Sequence, residues 1–311
     1  MLNSYKKIIL IISSFTDDQL KDKITQHFEK SYHNLLRDNI LKIIITTNAS
    51  TITSTAKQFS NACENGLIII AGGDGSLHEV VNSINFDRTN VALLPTGTGN
   101  DFARYLYNNQ PLEKILENFK FGRLQTIDLL KVNNLYSINV ASFGFETLVL
   151  EKSLSIKNRF NSLAKHSFSL AVLASLNKIK PVKYNYKFTL SSGETIVDQG
   201  NYIINAFCNG RHYGGGFTPA PHANIYDGKF RINQIENITL IQIAKLLSSY
   251  IDGSHIENTK ISHNMEAVAA QIKAIDNSIK VNLDGEIYEF EEIDIRIVPK
   301  ALKLWHIDFL E

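Results

Sequence analysis

The first third of the chain alternates short apolar runs with segments of helical pattern, and this alternation restricts the possible folds more than any other feature. The apolar runs stand at 6–13, 41–47, 67–70 and 91–95, and helical patterns at 17–36, 54–66 and 76–84 separate them. Continuous apolar runs are typical of strands that are buried on both faces. The alternation therefore predicts an α/β domain, in which helices cover both faces of a parallel sheet.

After about Asp128 the pattern changes to β-rich segments joined by Gly, Asn and Asp turns. Two helical stretches interrupt them, at 148–176 and 241–251. This texture predicts a second, mainly antiparallel domain. We therefore predict two domains, an α/β domain over 1–128 and a β domain over 129–296.

Composition and charge exclude several classes of protein. Hydrophobic residues make up 44% of the chain and charged residues 20%, as in an ordinary globular protein, and the net charge of +1 predicts no nucleic-acid partner. Two cysteines without a CxxC motif favour a reducing compartment. The first apolar run is too short for a secretion signal, and no run approaches the ~18 apolar residues of a membrane span. We expect a cytoplasmic protein.

The first of two glycine-rich turns, "AGGDGS", lies between the third apolar run and a helix. Open α/β sheets bind ligands at the carboxyl ends of their strands, glycines permit positive φ and close approach, and a helix N-terminus suits phosphate. A structural explanation is also open, because Ser76 and Glu79 match a capping box and Asp74 can be a turn residue. The turn is not a Walker A loop, and His78 replaces the third glycine of GxGxxG.

The second turn, in "VALLPTGTGNDFAR", repeats this arrangement one strand later. Thr96 and Thr98 supply hydroxyl groups, and Asn100 or Asp101 can cap the following helix. Two polar turns that face one crevice favour a nucleotide site over a purely structural role. The candidate nucleotide-binding residues on the two turns are Gly72, Gly73, Asp74, Gly75, Ser76, Glu79, Thr96, Gly97, Thr98 and Asn100.

These two motifs resemble those of the soluble diacylglycerol kinase catalytic domain family, which includes bacterial lipid kinases, sphingosine kinases and ceramide kinases. Later matches cover the rest of the chain, at "GGGFTPAPHANIYDGKF", "LDGE" and "IVPKALKLW". The resemblance implies an NAD-kinase-like N-terminal α/β domain and a C-terminal antiparallel β-sandwich domain, with ATP and Mg²⁺ in the cleft between them. We expect the C-terminal segment 297–311 to pack back on the first domain.

The resemblance also implies roles for individual residues. Thr47, at the end of the second strand, would join the nucleotide contacts. A magnesium ion would lie at Asp227, with Asn224 and Lys229 beside it, and Asp74 and Asp101 would be tied to it through water. The chain departs from the family pattern at two places. The segment "SSFTDD" (13–18) replaces an Asn-Pro-x-x-Gly-like turn of the nucleotide site, and Glu146-Thr147 stands where a pair closer to Asp-Ala is expected beside the substrate.

The "LDGE" motif offers two carboxylates, Asp284 and Glu286, for the chemistry. A lipid kinase transfers a phosphoryl group to a primary hydroxyl, and a carboxylate accepts the hydroxyl proton. The residues alone favour a β-hairpin turn at Asp284-Gly285, whereas the resemblance places the catalytic acid in this motif. We list Glu286, Asp284 and Asp74 as candidate catalytic residues and prefer Glu286 as the base.

The stretch 151–190 carries eight basic residues and one acidic residue, a net charge of +7 in a chain of +1. This charge predicts peripheral contact with an anionic membrane surface, where a lipid alcohol would be found; a solvated helix face is the alternative. A homodimer is also possible. We predict an ATP- and Mg²⁺-dependent kinase that phosphorylates diacylglycerol or a related lipid alcohol. The alternatives are a sphingoid-base or ceramide kinase, an NAD kinase, and a catalytically degenerate lipid-binding regulator on the same fold.

Overall fold

The computed structural model describes residues 2–159 and 167–309. The chain divides into two compact units, Met1–Ile127 with Lys300–Glu311, and Asp128–Pro299, which we call unit 1 and unit 2. Lys165, one of the basic residues noted above, lies outside the described residues. Within the described residues, no helix is long and apolar enough to cross a bilayer.

Unit 1 contains a parallel sheet built from the four apolar runs. Its strands are β1 (Lys7–Ile12), β2 (Leu41–Ile45), β3 (Gly66–Gly72) and β4 (Thr89–Pro95), in the order β4-β3-β1-β2. All of β3 is buried, which explains why its sequence is apolar on both faces. The last strand of the chain, β14 (Glu292–His306), begins in unit 2 and pairs Leu304 in parallel with Val91 of β4.

The helices of unit 1 connect these strands. They are α1 (Asp18–Ser31), α2 (His33–Arg37), α3 (Ala49–Ala62), α4 (Asp74–Val81), α5 (Asp101–Leu106) and α6 (Leu112–Asn118). The single helix expected over 17–36 is wrong, because the chain breaks between α1 and α2 at Tyr32. The Tyr32 ring packs 5.1 Å from Phe28 of α1 and 6.5 Å from Phe119. The contact with Phe119 joins distant parts of the chain, which local helical periodicity does not reveal.

Unit 2 is built mainly from antiparallel strands. They are β5 (Arg123–Val132), which begins in unit 1, β6 (Leu135–Ser137), β7 (Val140–Gly144), β8 (Val182–Leu190), β9 (Thr195–Cys208), β10 (Phe230–Glu236), β11 (Ser262–Ala274), β12 (Ile279–Leu283) and β13 (Glu286–Phe290). β8 pairs with β9, β9 with β10, β10 with β11, and β11 with β8, so that these four strands close on themselves. These strands contribute aromatic rings to one hydrophobic core, which includes Tyr184, Phe188, Phe207 and Phe230.

Three helices, α7 (Phe145–Arg159), α8 (Ser167–Ser175) and α9 (Leu240–Asp252), contribute to a second core of unit 2. That core joins Val149, Val172 and Ile243 of the helices to β7 and β9. α9 begins with a complete capping box between Thr239 and Gln242 and ends at Gly253 in the left-handed conformation. The expected fold class, a parallel α/β unit followed by an antiparallel β unit, is confirmed.

Candidate active site

The two glycine-rich turns lie at the carboxyl ends of β3 and β4 and touch through their backbones. A Cβ on Gly97 would lie 2.5 Å from Gly73 Cα, and a Cβ on Gly72 would lie 2.4 Å from Ser76 Cβ. Neither separation is possible for a real side chain. The turns therefore need glycine for close approach. Of the two expected reasons for glycine, positive φ is wrong, because none of the glycines from 72 to 99 has a positive φ, whereas close approach to the backbone applies, here between the two turns.

The helix after the first turn begins without a side-chain cap. The N-cap of α4 is Gly73, and Ser76 is already the third residue of the helix. Glu79 accepts a hydrogen bond from the Thr53 hydroxyl of α3 rather than closing a capping box. The structural explanation of Ser76 and Glu79 as a capping box is therefore wrong, and the start of α4 relies on a residue with no side-chain acceptor.

The second turn is held by its own asparagine. Asn100 adopts the left-handed conformation with φ 51°. Its Oδ1 accepts from the Gly97 N–H at 2.9 Å, and its Nδ2 donates to the Gly97 carbonyl at 2.7 Å. Asn100 thus shapes the turn and makes no side-chain cap on α5, whereas Thr98 is exposed on it.

Asp74 of the first turn caps α5, because the N-cap residue Asn100 makes no side-chain cap of its own. Its carboxylate accepts from the Asp101 N–H and the Phe102 N–H, each at 3.0 Å. Asp101 in turn pairs with Arg104 at 2.6 Å and is 5% exposed. A Cβ on Gly99 would lie 3.4 Å from Oδ2 of Asp74 and 3.4 Å from Oδ2 of Asp101. Two carboxylate oxygens therefore converge on the space beside Gly99, close to the proposed phosphate turns.

The turn after β1, which departs from the family pattern, forms the next part of this edge. Thr16 donates its N–H to the Ser13 carbonyl at 3.0 Å, which closes a β-turn. The Ser14 N–H donates to the Thr46 hydroxyl at 3.0 Å, and the Thr16 and Thr96 hydroxyls are 2.7 Å apart. Thr47 is exposed at the end of β2, with its hydroxyl 3.2 Å from that of Thr51. The ends of all four strands are thus connected within unit 1.

In unit 2, the "LDGE" motif is a hairpin that separates its two carboxylates. Leu283 pairs with Glu286 across a two-residue turn in which Asp284 and Gly285 both have positive φ, at 53° and 103°. The Asp284 carboxylate is 7% exposed and accepts from the Ser137 hydroxyl and three backbone N–H groups, of residues 138–140, at 2.8–3.1 Å. Glu286 is exposed at the start of β13. The same motif thus holds one structural and one accessible carboxylate.

The residues assigned to magnesium by resemblance fall in the loop before β10. The Asp227 carboxylate accepts from the Lys229 N–H at 3.2 Å and pairs with the Arg231 guanidinium at 2.8 Å. The Asn224 Oδ1 accepts from the Tyr226 N–H at 3.1 Å. A guanidinium thus provides the positive charge beside Asp227. Across residues 2–159 and 167–309, no three His, Cys, Asp or Glu side chains are grouped to hold a metal, and metal binding at Asn224, Asp227 and Lys229 stays a prediction.

Glu146, noted in the sequence only as a departure, is a buried acid in unit 2. Its side chain is 3% exposed at the start of α7. Oε1 accepts from the Asn205 N–H at 3.3 Å, whereas Oε2 is buried without a hydrogen-bond partner. Burial raises the pKa of the Glu146 carboxyl well above its usual range, although its own backbone N–H and that of Asn205 lower it in part. The carboxyl is therefore uncharged over a wider pH range than an ordinary glutamate.

Part of the basic stretch is well exposed. Lys178 and Lys180 follow α8, and Lys183 and Lys187 point outward from β8. Lys152 instead donates to the Ala174 carbonyl and so connects α7 to the end of α8. The exposed charges of β8 alternate with the buried rings of Tyr184 and Phe188, as a half-buried strand requires.

Comparisons with known proteins match both units. The diacylglycerol kinase catalytic domain family matches residues 7–132, and the YegS C-terminal NAD kinase beta sandwich-like domain matches residues 139–306. A protein of Shewanella frigidimarina named "Probable lipid kinase YegS-like" is 31% identical over 76% of this chain and 75% of its own length. The "Diacylglycerol kinase" of Bacillus subtilis is 30% identical over 78% of this chain and 77% of its own.

The fold is shared with solved structures as well. The crystal structure of a diacylglycerol kinase from Bacillus anthracis superposes with a TM-score of 0.72 at 17% identity, covering 97% of each chain. At that identity the likeness concerns the fold. The two family matches and the two relatives at 30% and 31% identity carry the assignment. The chain belongs to the diacylglycerol kinase catalytic domain family and is a phosphotransferase of the class that acts on alcohol groups.

Proposed function

We propose that this protein transfers the γ-phosphoryl group of ATP, with Mg²⁺, to the primary hydroxyl of diacylglycerol or a related lipid alcohol. The observation that carries the proposal is the backbone contact between Gly73 and Gly97, at the ends of two adjacent parallel strands. A contact this close leaves both turns without side chains over the edge of the sheet where α/β proteins bind ligands.

The proposed nucleotide site lies in unit 1. The start of α4, whose N-cap is Gly73, presents backbone N–H groups and the positive end of the helix to the phosphates. The exposed Thr98 hydroxyl would bind the phosphates beside the turn after β4, and the exposed Thr47 hydroxyl would bind further along the nucleotide, at the end of β2. Asn100 would contribute by fixing the shape of its turn rather than by direct contact.

The chain also offers a suitable environment for the magnesium ion that accompanies ATP. In kinases, Mg²⁺ is bound by one or two carboxylates together with the substrate phosphates, so a complete protein cage is not needed. The Asp74 and Asp101 oxygens beside Gly99 support this arrangement. The ion would be held by these two residues and would neutralise charge on the phosphates.

Glu286 is our proposed general base in unit 2. The hydroxyl oxygen of the lipid forms a bond to the γ-phosphorus while the bond to the ADP oxygen breaks, and the hydroxyl proton passes to Glu286. Asp284 is unsuited to this task, because four donors already occupy its carboxylate. Its role would be to hold the hairpin that presents Glu286.

The relatives named as lipid and diacylglycerol kinases support a lipid acceptor. The exposed lysines after α8 and on β8 support reversible contact of unit 2 with an anionic membrane, and we propose a cytoplasmic protein that reaches its substrate there. Binding to vesicles of neutral or anionic lipid, measured by sedimentation at low and high salt, tests this part. Equal binding to both lipids at both salt concentrations would contradict it. Dimerisation stays a prediction.

The reaction itself is tested by transfer of labelled phosphate from ATP in mixed micelles. The acceptors are diacylglycerol, monoacylglycerol, ceramide and sphingosine, with NAD as a water-soluble control. We expect label on diacylglycerol or another glycerolipid. Label on sphingosine, ceramide or NAD would reassign the acceptor, and no label from a protein that binds ATP would favour a binding role.

Two matched variants locate the chemistry. Glu286→Gln should lower kcat by about 100-fold or more, since general bases typically contribute 10²- to 10⁴-fold. Glu289→Gln, an exposed glutamate on the same strand, should leave kcat unchanged. Equal effects of the two substitutions would remove Glu286 from the proposed role.

A further inference from the structure

Phe15 stands out on the surface of unit 1, because it is 77% exposed in a turn whose neighbours are buried. Ser13 and Thr16 of the same turn are 1% and 3% exposed, and Ser14 is half-buried. A single exposed hydrophobic residue is common on protein surfaces and needs no explanation by itself. The question is therefore whether the surroundings of Phe15 give its ring a partner.

The turn that carries Phe15 is held rigidly against three neighbouring strand ends. The Ser13 N–H donates to the Ala71 carbonyl at the end of β3, at 2.9 Å. The Ser14 N–H bonds the Thr46 hydroxyl after β2, and the Thr16 hydroxyl meets that of Thr96 after β4. These contacts fix the backbone and leave the ring at the apex of the turn, above the edge of the sheet that carries the glycine turns.

The order of the strands indicates what the ring would meet. The proposed phosphate turns follow β3 and β4, and Phe15 follows β1, the strand next to β3. Neighbouring strands are about 5 Å apart, so a nucleotide with its phosphates at β3 and β4 would extend its nucleoside over β1 and β2. The Thr47 hydroxyl lies at the end of β2, on the same side.

We infer that Phe15 is the stacking platform for the nucleobase of the phosphoryl donor and a determinant of nucleotide affinity. This inference rests on the proposed ATP site. An aromatic ring stacks on a base through its face. A turn without an aromatic residue would not offer this contact.

The test compares the Kd for ATP with that for inorganic tripolyphosphate, which has no base. Phe15→Ala should raise the Kd for ATP by about 5- to 100-fold and leave the Kd for tripolyphosphate unchanged. Phe15→Tyr should restore nearly normal ATP affinity, since its ring face is the same. Calorimetric titration gives both constants, and the substitutions remove little buried surface because Phe15 is highly exposed.

The control is Phe121→Ala, a second exposed aromatic residue of unit 1. Phe121 follows Phe119, whose ring packs 6.0 Å from Trp305, and Trp305 packs on Tyr5, just before β1. This places Phe121 near the amino ends of the strands, away from the glycine turns. The substitution should change neither Kd.

A direct readout comes from Phe15→Trp. The chain has one tryptophan, Trp305, which is 2% exposed, so the emission of a solvent-exposed indole can be separated from it. ATP should quench the indole that replaces Phe15, and tripolyphosphate should not.

Three outcomes would overturn the inference: an unchanged Kd for ATP in Phe15→Ala, an equal loss of affinity for ATP and tripolyphosphate, or an unquenched indole. Loss of vesicle binding in Phe15→Ala with ATP affinity intact would assign the ring to lipid instead. If the wild-type protein binds neither ATP nor tripolyphosphate, the proposed function itself fails. If the wild-type protein phosphorylates lipid and Phe15→Ala binds ATP equally well, only the role of Phe15 is wrong.

Discussion

Replacing Glu146 by glutamine should stabilise the protein, and more strongly as pH rises. Glu146 is 3% exposed, and its Oε2 has no hydrogen-bond partner. Desolvation raises the pKa of its carboxyl well above that of a glutamate in an unfolded chain. Glutamine has nearly the shape of the protonated acid. It is neutral in both the folded and the unfolded chain, so its folding requires no proton uptake.

The size of the effect follows from proton linkage. Above the unfolded pKa of about 4.3, the unfolded chain has lost the Glu146 proton, whereas the folded chain keeps it up to its own higher pKa. Folding then takes up a proton, so wild-type stability falls by about 1.4 kcal/mol for each pH unit across this window. Between pH 5.5 and 7.5, the free energy of unfolding of Glu146→Gln should therefore rise relative to wild type for as long as the folded chain keeps the Glu146 proton.

Urea unfolding at pH 5.5 and 7.5, followed by far-ultraviolet circular dichroism, measures this difference. Comparing the variant with wild type at each pH cancels the contributions of all other titrating groups that the substitution leaves alone. Glu194→Gln, at an exposed glutamate just before β9, is the matched control and should show no such gain. If wild type and Glu146→Gln have parallel pH profiles, Glu146 is ionised in the folded protein and the reasoning is wrong.

Three further substitutions test the structure around the site. Asp284→Ala should lower the free energy of unfolding by about 3–5 kcal/mol in urea, because a hydroxyl and three backbone N–H groups lose their acceptor. Gly97→Ala should lower kcat/KM for ATP by at least tenfold, because its Cβ would meet the backbone of Gly73. Its control is Gly193→Ala, where φ is +91° and nothing lies within 4 Å of the new Cβ; this substitution should cost about 1 kcal/mol of stability and leave kcat/KM unchanged. Tyr184→Phe should cost about 1–3 kcal/mol in thermal unfolding, because the buried hydroxyl donates to Asn205 and accepts from Gln234.

The parallel sheet of unit 1 could be predicted because each of its strands leaves a local signal. Unbroken runs of Ile and Leu favour strands, and the turns between such runs contain glycine or a helix cap. The predicted burial on both faces holds for β3 but not for the edge strand β2, where Ile45 is 53% exposed. The same local signals failed at Tyr32, where the break between α1 and α2 depends on packing against Phe119, far away in the chain.

The two glycine turns lie at the predicted strand ends, but only one of the two reasons expected for their glycines applies. Sequence shows that glycine is present, but two different requirements produce it, positive φ and close approach. Here a Cβ on Gly97 would meet Gly73, a contact between two turns that becomes visible only when β3 and β4 are paired. Asp74 illustrates the same limit, because the N–H groups that it caps belong to α5, 27 and 28 positions later.

The acidic residues of unit 2 show why residue type alone could not assign roles. Glu146 is buried, and its burial raises the pKa of its carboxyl. Asp284 is buried and accepts four hydrogen bonds, whereas Glu286 is exposed on an edge strand. The donors to Asp284 lie about 145 positions away in the sequence, so no local pattern could reveal them. A general base must take up and release a proton without disturbing its support. The four donors to Asp284 fix residues 137–140 to the hairpin, whereas Glu286 is exposed two positions along. One hairpin thus separates the carboxylate that builds the site from the carboxylate proposed to act in it.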